Sequence, residues 1–356
     1  MAGGVLDHKC KNCAAVLKFN PHNQNWKCEY CKSEFTKEEL DEYEKSIGKE
    51  ELTKESKADK LEKNENGMDI YSCPNCGAEI IADENTSATF CVYCKNTAIL
   101  KNKLVGEFNP SMVIPFHLTK EDAVAAFTKF RKGKPLAPKE FTDPKNIDEI
   151  RGIYIPFWLF DYSVDGTLNA EGKKVATWTS GDYIYTKTDI YNVVRSGSMN
   201  FNKIPVDGST RFADDLMNSI EPFDYKGLVD FDYSYLSGFL AEKYDVDSNK
   251  AGNDALNRAY QTTTSQFKST INGYSSVNVR NTNYRPVSSK SDYALLPVWL
   301  LNIKYKDKLY PFAMNGQTGK MIGDIPVDKK KAVIIAILTF IGVFAIASLI
   351  WMLGGK

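Results

Sequence analysis

The sequence predicts an α+β protein of several parts: two small β modules each built round four cysteines, a mainly antiparallel-β body with a few helices, and one C-terminal transmembrane helix. Three observations predict it. All eight cysteines lie before residue 95 as four Cys-x-x-Cys pairs, residues 105–327 alternate aromatic and β-branched runs with turn residues, and residues 332–353 carry no charge. With 356 residues, 43% of them hydrophobic and 25% charged, the chain has the composition of a folded multidomain protein. Its 45 basic and 45 acidic side chains cancel. That balance excludes a polybasic arm or an acidic tail and lacks the electrostatic footprint of most nucleic-acid binders.

The first module spans residues 1–35. Cys10 and Cys13 are followed after 14 residues by Cys28 and Cys31. In the second module, residues 69–104, Cys73 and Cys76 are followed after 14 residues by Cys91 and Cys94. A shift of 63 residues superposes all four cysteines and also Asn12 on Asn75, Ala15 on Ala78, Tyr30 on Tyr93 and Lys32 on Lys95, the mark of an internal duplication. Two such hairpins present a tetrahedral thiolate shell, so one Zn2+ per module is expected, two structural ions in all, with rubredoxin-type iron and thiol redox chemistry as the alternatives. Four protein thiolates leave no position for a reactive water. About 35 residues bury too little apolar surface to fold alone, so ion binding and module folding are expected to be one event. His8 is then a flanking surface residue. These modules resemble zinc ribbons of the kind found in transcription factor IIB. Charge bears on what they bind: the first carries five lysines against three acids, the second three against four, and neither has an arginine, which disfavours nucleic acid.

Residues 36–68, with seven lysines and eleven acids, read as a charged, partly helical linker. Thr36 and Glu39 form a capping box that predicts a helix over residues 37–47. In the body, Thr119 and Asp122 cap an amphipathic run through Lys132, residues 211–220 form a shorter helix, and residues 247–271 form the longest. Strands are predicted over 153–164, 183–195, 295–305 and 308–314, with Asp165-Gly166 and Asn315-Gly316 as hairpin turns. A weak repeat relates Ile155-Pro156-Phe157-Trp158 to Leu296-Pro297-Val298-Trp299, 141 residues later, which raises two related sheet subdomains.

No catalytic constellation emerges. Around Gly316-Gln317-Thr318-Gly319-Lys320, Met314 and Met321 stand where a phosphate-binding loop needs Gly and Ser/Thr, so a turn is expected. His117 has no neighbouring nucleophile and reads as structural; Asp214, Asp215, Asp230 and Asp232 show no metal-loop or paired-acid spacing. A non-enzyme is expected.

Residues 328–356 form the anchor. Twenty-two uncharged residues span about 33 Å as a helix, enough for a hydrocarbon core of about 30 Å. Lys329, Lys330 and Lys331 precede it and Trp351 sits near its far end, so a single-pass tail anchor in the plasma membrane with residues 1–331 in the cytoplasm is expected. Met1 to Val16 shows no signal-peptide pattern. Ala332 and Ala336 have the small-xxx-small spacing of helix dimers.

The whole chain resembles a Firmicutes family of double zinc-ribbon membrane proteins with a C-terminal transmembrane helix. Beyond the cysteines, the marks are Ile114-Pro115-Phe116, Gly152-Ile153-Tyr154-Ile155-Pro156-Phe157-Trp158, Ile204-Pro205-Val206-Asp207-Gly208-Ser209, Glu221-Pro222-Phe223-Asp224-Tyr225, Tyr235-Leu236-Ser237-Gly238-Phe239 and Asn315-Gly316-Gln317-Thr318-Gly319-Lys320. Members are often labelled zinc-ribbon or replication-helicase-like; the missing Walker motif removes the helicase reading. Some are encoded beside phage-shock protein A-like and flotillin-like proteins, which implies a membrane-stress scaffold that recruits protein partners. The expectation is a cytoplasmic-side adaptor, the alternative a membrane-tethered nucleic-acid binder using the first module.

Overall fold

The structure is a computed structural model and describes residues 5–6, 8–47, 62–63, 69–73, 76, 78–91, 97–100, 103–104, 106–147 and 149–354. Cys94, most of the spacer and the side chain of Trp351 lie outside them. In chain order the strands are β1 Val5–Leu6, β2 Leu17–Asn20, β3 Asn25–Cys28, β4 Glu34–Phe35, β5 Glu62–Lys63, β6 Asp69–Ser72, β7 Glu79–Ala82, β8 Thr86–Phe90, β9 Thr97–Leu100, β10 Met112–Val113, β11 Arg151–Ser180, β12 Tyr183–Asp207, β13 Val229–Asp230, β14 Leu240–Glu242, β15 Ser276–Tyr305, β16 Lys308–Asn315 and β17 Met321–Gly323. The helices are α1 Lys37–Ile47, α2 Lys120–Lys132, α3 Pro144–Ile147, α4 Asp214–Ser219, α5 Ser248–Ser269 and α6 Lys329–Gly354. The fold is α+β with a mainly antiparallel sheet, as the alternation of aromatic runs and turn signals predicts.

Helix starts follow the capping chemistry. Thr36 and Glu39 exchange side-chain to backbone hydrogen bonds at 3.0 and 3.3 Å, and α1 runs over 37–47. Thr119 and Asp122 form the same reciprocal box on α2. Asp247 accepts from Asn249 and Lys250 at the start of α5. α5 buries a stripe of Ala251, Ala255, Ala259, Thr263 and Phe267 at every fourth position, and four of the five are small, which lets the helix lie close on the sheet.

β2, β3 and β4 form one three-stranded sheet and β5, β6 and β7 another. The remaining described strands make one large sheet, ordered β1-β9-β8-β14-β11-β15-β10-β13, with β12 on β11 and β16 and then β17 beyond β15. Two apolar clusters cover its faces at the base, one centred on Phe116, Tyr154, Trp299 and Phe312, the other on Ile155, Phe157, Leu296 and Val298.

The sequence expectation falls short on strand length. β11 does not turn at Asp165-Gly166; it runs on to Ser180 and the reversal comes at Gly181-Asp182, with Gly181 at φ 59°. Gly166 sits mid-strand because the Tyr284 ring of β15 lies where its Cβ would be. Asn315-Gly316, by contrast, does end β16 and opens the connection to β17. β12, β11 and β15 pair side by side from the body out to the Lys173–Ser276 pair, and β11 and β12 continue alone to the tip. At about 3.3 Å per residue, the 30 residues of β11 are roughly 100 Å of strand. The result is a long arm reaching out of the body. The two halves of the weak repeat are cross-strand neighbours here: Ile155 pairs with Leu296 across β11 and β15.

α6 leaves the opposite end of the sheet. The Asp328 amide donates to the Leu136 carbonyl and the Lys331 ammonium to that of Ala137. The turn that follows places Phe141 against Tyr305 and Tyr310 at the foot of β15 and β16. From Lys329 to Ile350 the helix is long and apolar enough to cross a membrane, and none of it is buried against the described residues.

Candidate metal centres and their setting

Each Cys-x-x-Cys pair of the first module sits in a tight backbone knuckle. The Cys10 carbonyl accepts from the Ala14 amide at 2.8 Å and the Cys28 carbonyl from Lys32 at 3.0 Å, which requires left-handed backbone at Ala14 (φ 60°) and Lys32 (φ 64°). The turn aims main-chain donors at sulfur: Asn12 N–H lies 3.4 Å from Cys10 Sγ and Cys31 N–H lies 3.5 Å from Cys28 Sγ. Such donors stabilise thiolates.

The knuckles then converge. The four sulfurs of Cys10, Cys13, Cys28 and Cys31 all lie within 4.8 Å of one another, with Cys10 to Cys31 and Cys13 to Cys28 both 3.5 Å. A tetrahedral shell with metal–sulfur bonds near 2.3 Å needs sulfur–sulfur separations of about 3.8 Å, so the cluster has the size of a four-thiolate shell round one ion. The Ser33 hydroxyl, 3.2 Å from Cys31 Sγ, and the Ser33 backbone hold the Cys31 thiol down to about 6, so this ligand is a thiolate near neutral pH.

The second module repeats the arrangement. The Cys73 amide donates to the Ala78 carbonyl at 2.8 Å as Cys10 does to Ala15 at 2.7 Å. The sulfurs of Cys73, Cys76 and Cys91 lie within 4.8 Å of one another, Cys76 to Cys91 at 3.7 Å. Three predicted ligands therefore meet, and the fourth, Cys94, lies outside the described residues.

The sequence did not reveal how the modules are seated. Phe19 and Trp26 of the first module pack with Tyr235 of the body at ring separations of 5.0 to 5.5 Å, and the Phe19 amide donates to Ser237. Lys37, just past the module, bridges to Asp232 at 3.1 Å, and His22 to Asp122 at 2.7 Å. In the second module β8 pairs with β14 of the body and β9 pairs with β8, so both strands continue the sheet of the body, and β9 is edged by β1 of the first module. β3 turns Trp26 and Cys28 inward.

The remaining candidates are dispersed. His8 is half-buried rather than on the surface, and His117 is exposed while its amide donates to Gly316. Asp214 and Asp215 open α4, Asp230 ends β13, and Asp232 caps the turn that carries Ser234. The Asn315 loop is closed by its own side chain, whose Oδ1 accepts from Gln317 and Thr318 at 2.9 Å. It is a turn, as the missing phosphate-loop residues predict.

A second surface stands out at the far end of the arm. Trp178 stacks on Tyr185 with ring centroids 5.7 Å apart, beside Tyr183 at 71% and Ile184 at 75% exposure. These large apolar side chains are gathered at an exposed tip.

Over 310 residues the chain is 35% identical to the uncharacterized protein YdjG of Bacillus subtilis (strain 168), an alignment that covers 73% of this chain and 91% of the relative. No family profile and no solved structure matches the chain.

Proposed function

The chain belongs to the family of YdjG, and from that premise we propose that it is a non-enzymatic adaptor, tail-anchored in the plasma membrane with its body on the cytoplasmic side, whose arm presents a docking surface to soluble protein partners. One structural zinc ion in each cysteine module holds the body in the shape that carries the arm. The observation behind this reading is the arm itself. Its aromatic tip lies at the end of the long strands opposite the anchor, so a partner could be held well clear of the lipid surface.

Thiolate shells of four ligands serve structure, since they leave no coordination position for substrate or water. The net charge of zero favours protein partners over polyanions. Phage-shock protein A-like and flotillin-like proteins are the partner classes that the family resemblance implies, with a membrane-stress response as the setting.

The test is crosslinked co-purification of the full-length protein from gently solubilised native membranes, beside the variant Trp178→Ser, Tyr183→Ser, Ile184→Ser, Tyr185→Ser. These side chains support no core, so the variant should keep its melting temperature while losing its partners. Partners that persist on the variant would move recruitment away from the tip. Absence of protein partners, with nucleic acid recovered instead, would replace the adaptor by a membrane-tethered nucleic-acid binder.

A further inference from the structure

The body holds two copies of one substructure, related by a local two-fold axis through the Ile155–Leu296 pair. Trp158 Nε1 donates to the Val246 carbonyl at 2.8 Å, and Trp299 Nε1 donates to the Leu118 carbonyl at 3.2 Å. Each acceptor directly precedes a helix N-cap, Asp247 of α5 in one case and Thr119 of α2 in the other. β14 runs parallel to β11 as β10 does to β15. Gly208 donates to Pro156 at 2.9 Å, and Gly316 to Pro297 at 2.8 Å. The Gly208 carbonyl accepts from Asp245 and Val246, and that of Gly316 from His117 and Leu118.

In this symmetry Asp207 of β12 is the counterpart of Asn315 of β16. Asp207 pairs with Phe157 and Asn315 with Val298, positions 141 residues apart. Asp207 Oδ1 accepts from the Ser209 amide at 2.9 Å, as Asn315 Oδ1 does from Gln317. The other arm of each side chain differs. Asn315 Nδ2 donates to the carbonyls of Ile220 and Pro222 at 3.1 and 3.3 Å, whereas Asp207 Oδ2 is buried without a hydrogen-bond partner among the described residues, on a residue only 8% exposed. A buried carboxylate oxygen in the place of an amide donor is best accommodated as a protonated one.

We infer that Asp207 is held as a neutral carboxylic acid, the counterpart of the Asn315 amide, and that its proton keeps closed a clasp between the body and the second metal module. The clasp is the turn that Asp207 begins. Ser209 Oγ reaches Glu242 of β14 at 3.3 Å, Arg211 bridges Glu242 and Asp83 of the second module, and Asp245 accepts from Thr210 and from Asn85 of that module. The ionisable groups facing Asp207 are Asp214 at the start of α4, Asp245, and Glu242, whose charge Arg211 offsets. On β11, Asp207 pairs with Phe157, and the Gly208 amide next to it donates to the Pro156 carbonyl. Removing the proton therefore places an anion among acids, in a site without a donor for Oδ2.

Burial, then the acids Asp214, Asp245 and Glu242, lift the Asp207 carboxyl to about 8 against the backbone bond from Ser209. An acid raised in the folded state above its unfolded value of about 3.9 stabilises the fold fully below that value, and the contribution is lost as pH rises toward about 8.

The experiment compares melting of the full-length, zinc-loaded protein in detergent with Asp207→Asn from about pH 5 to 9, spanning the lifted pKa. Asp207→Asn should match or exceed the parent in stability, with a difference that widens as pH rises and levels above about pH 8. The protection factor of the Lys243 amide, which donates across the clasp to Asn85, should fall several-fold in the parent over that range and stay constant in the variant. Asn315→Asp should give the second turn the same pH dependence. Parallel melting profiles for parent and Asp207→Asn, or Asp207→Asn as destabilised as Asp207→Ala, would overturn the inference; if Asp207→Ala does not fold, the Asp207→Asn profile decides alone.

Discussion

The indole N–H of Trp26 donates to the main-chain carbonyl of Ser234 at 2.8 Å, joining the first metal module to a body residue 208 positions away. Trp26 is fully buried, so the contact is part of a core that module and body share. Trp26→Ala should cost about 3–5 kcal/mol, the range for large aromatic truncations, and should lower the unfolding of module and body together. Trp26→Phe keeps most of the packing and gives up chiefly the hydrogen bond, about 1 kcal/mol. Thermal melting of the full-length protein in detergent distinguishes this shared core from a module that melts on its own.

Zinc content tests the role of Cys94 directly. Three of the four second-module sulfurs already meet, so the fourth shell position should fall to Cys94. Elemental analysis should give about two zinc ions per parent chain and about one for Cys94→Ser, with Cys10→Ser showing the same loss from the other site. A Cys94→Ser protein that retained both ions would remove Cys94 from the ligand set.

Acid should release α1 from the body. Burial acts to raise the Asp232 carboxyl, but the Ser234 hydrogen bonds and the Lys37 ammonium outweigh it and hold it below the usual carboxylate range. A depressed folded pKa means stability that is present above the unfolded value of about 3.9 and is lost as pH falls through the folded one. Amide exchange across α1 should accelerate on acidification, and Asp232→Asn should show the faster exchange already at neutral pH. Unchanged α1 protection in that variant would show that Lys37 and Asp232 do not secure the helix.

Local chemistry was legible in the sequence and long-range placement was not. The boxes at Thr36 and Thr119 fix helix starts because donor and acceptor lie three residues apart, and the cysteine spacing fixes the metal shells for the same reason. Asp165-Gly166 misled because a glycine can serve either a turn or a close approach, and the ring that needs the space belongs to Tyr284, over a hundred residues away. Asp207 likewise looked like any acid beside a glycine. Only its structural counterpart Asn315 shows the role that the position demands.

That double meaning of glycine leads to a prediction on the arm. Asp165-Gly166 lies where β11 is flanked by β12 on one side and β15 on the other, with Gly166 opposite Gly197 and Tyr284. Adding a methyl group at Gly166 forces the Tyr284 ring away from its contacts with Tyr260 and Phe267. Overpacking of this kind costs about 1–3 kcal/mol, so Gly166→Ala should destabilise by that amount. Tyr284→Ala opens the space, and the double variant Gly166→Ala, Tyr284→Ala should be less destabilised than the sum of the two single changes, a coupling expected only of residues in contact. Were Asp165-Gly166 a turn instead, the two substitutions would not touch and their effects would add.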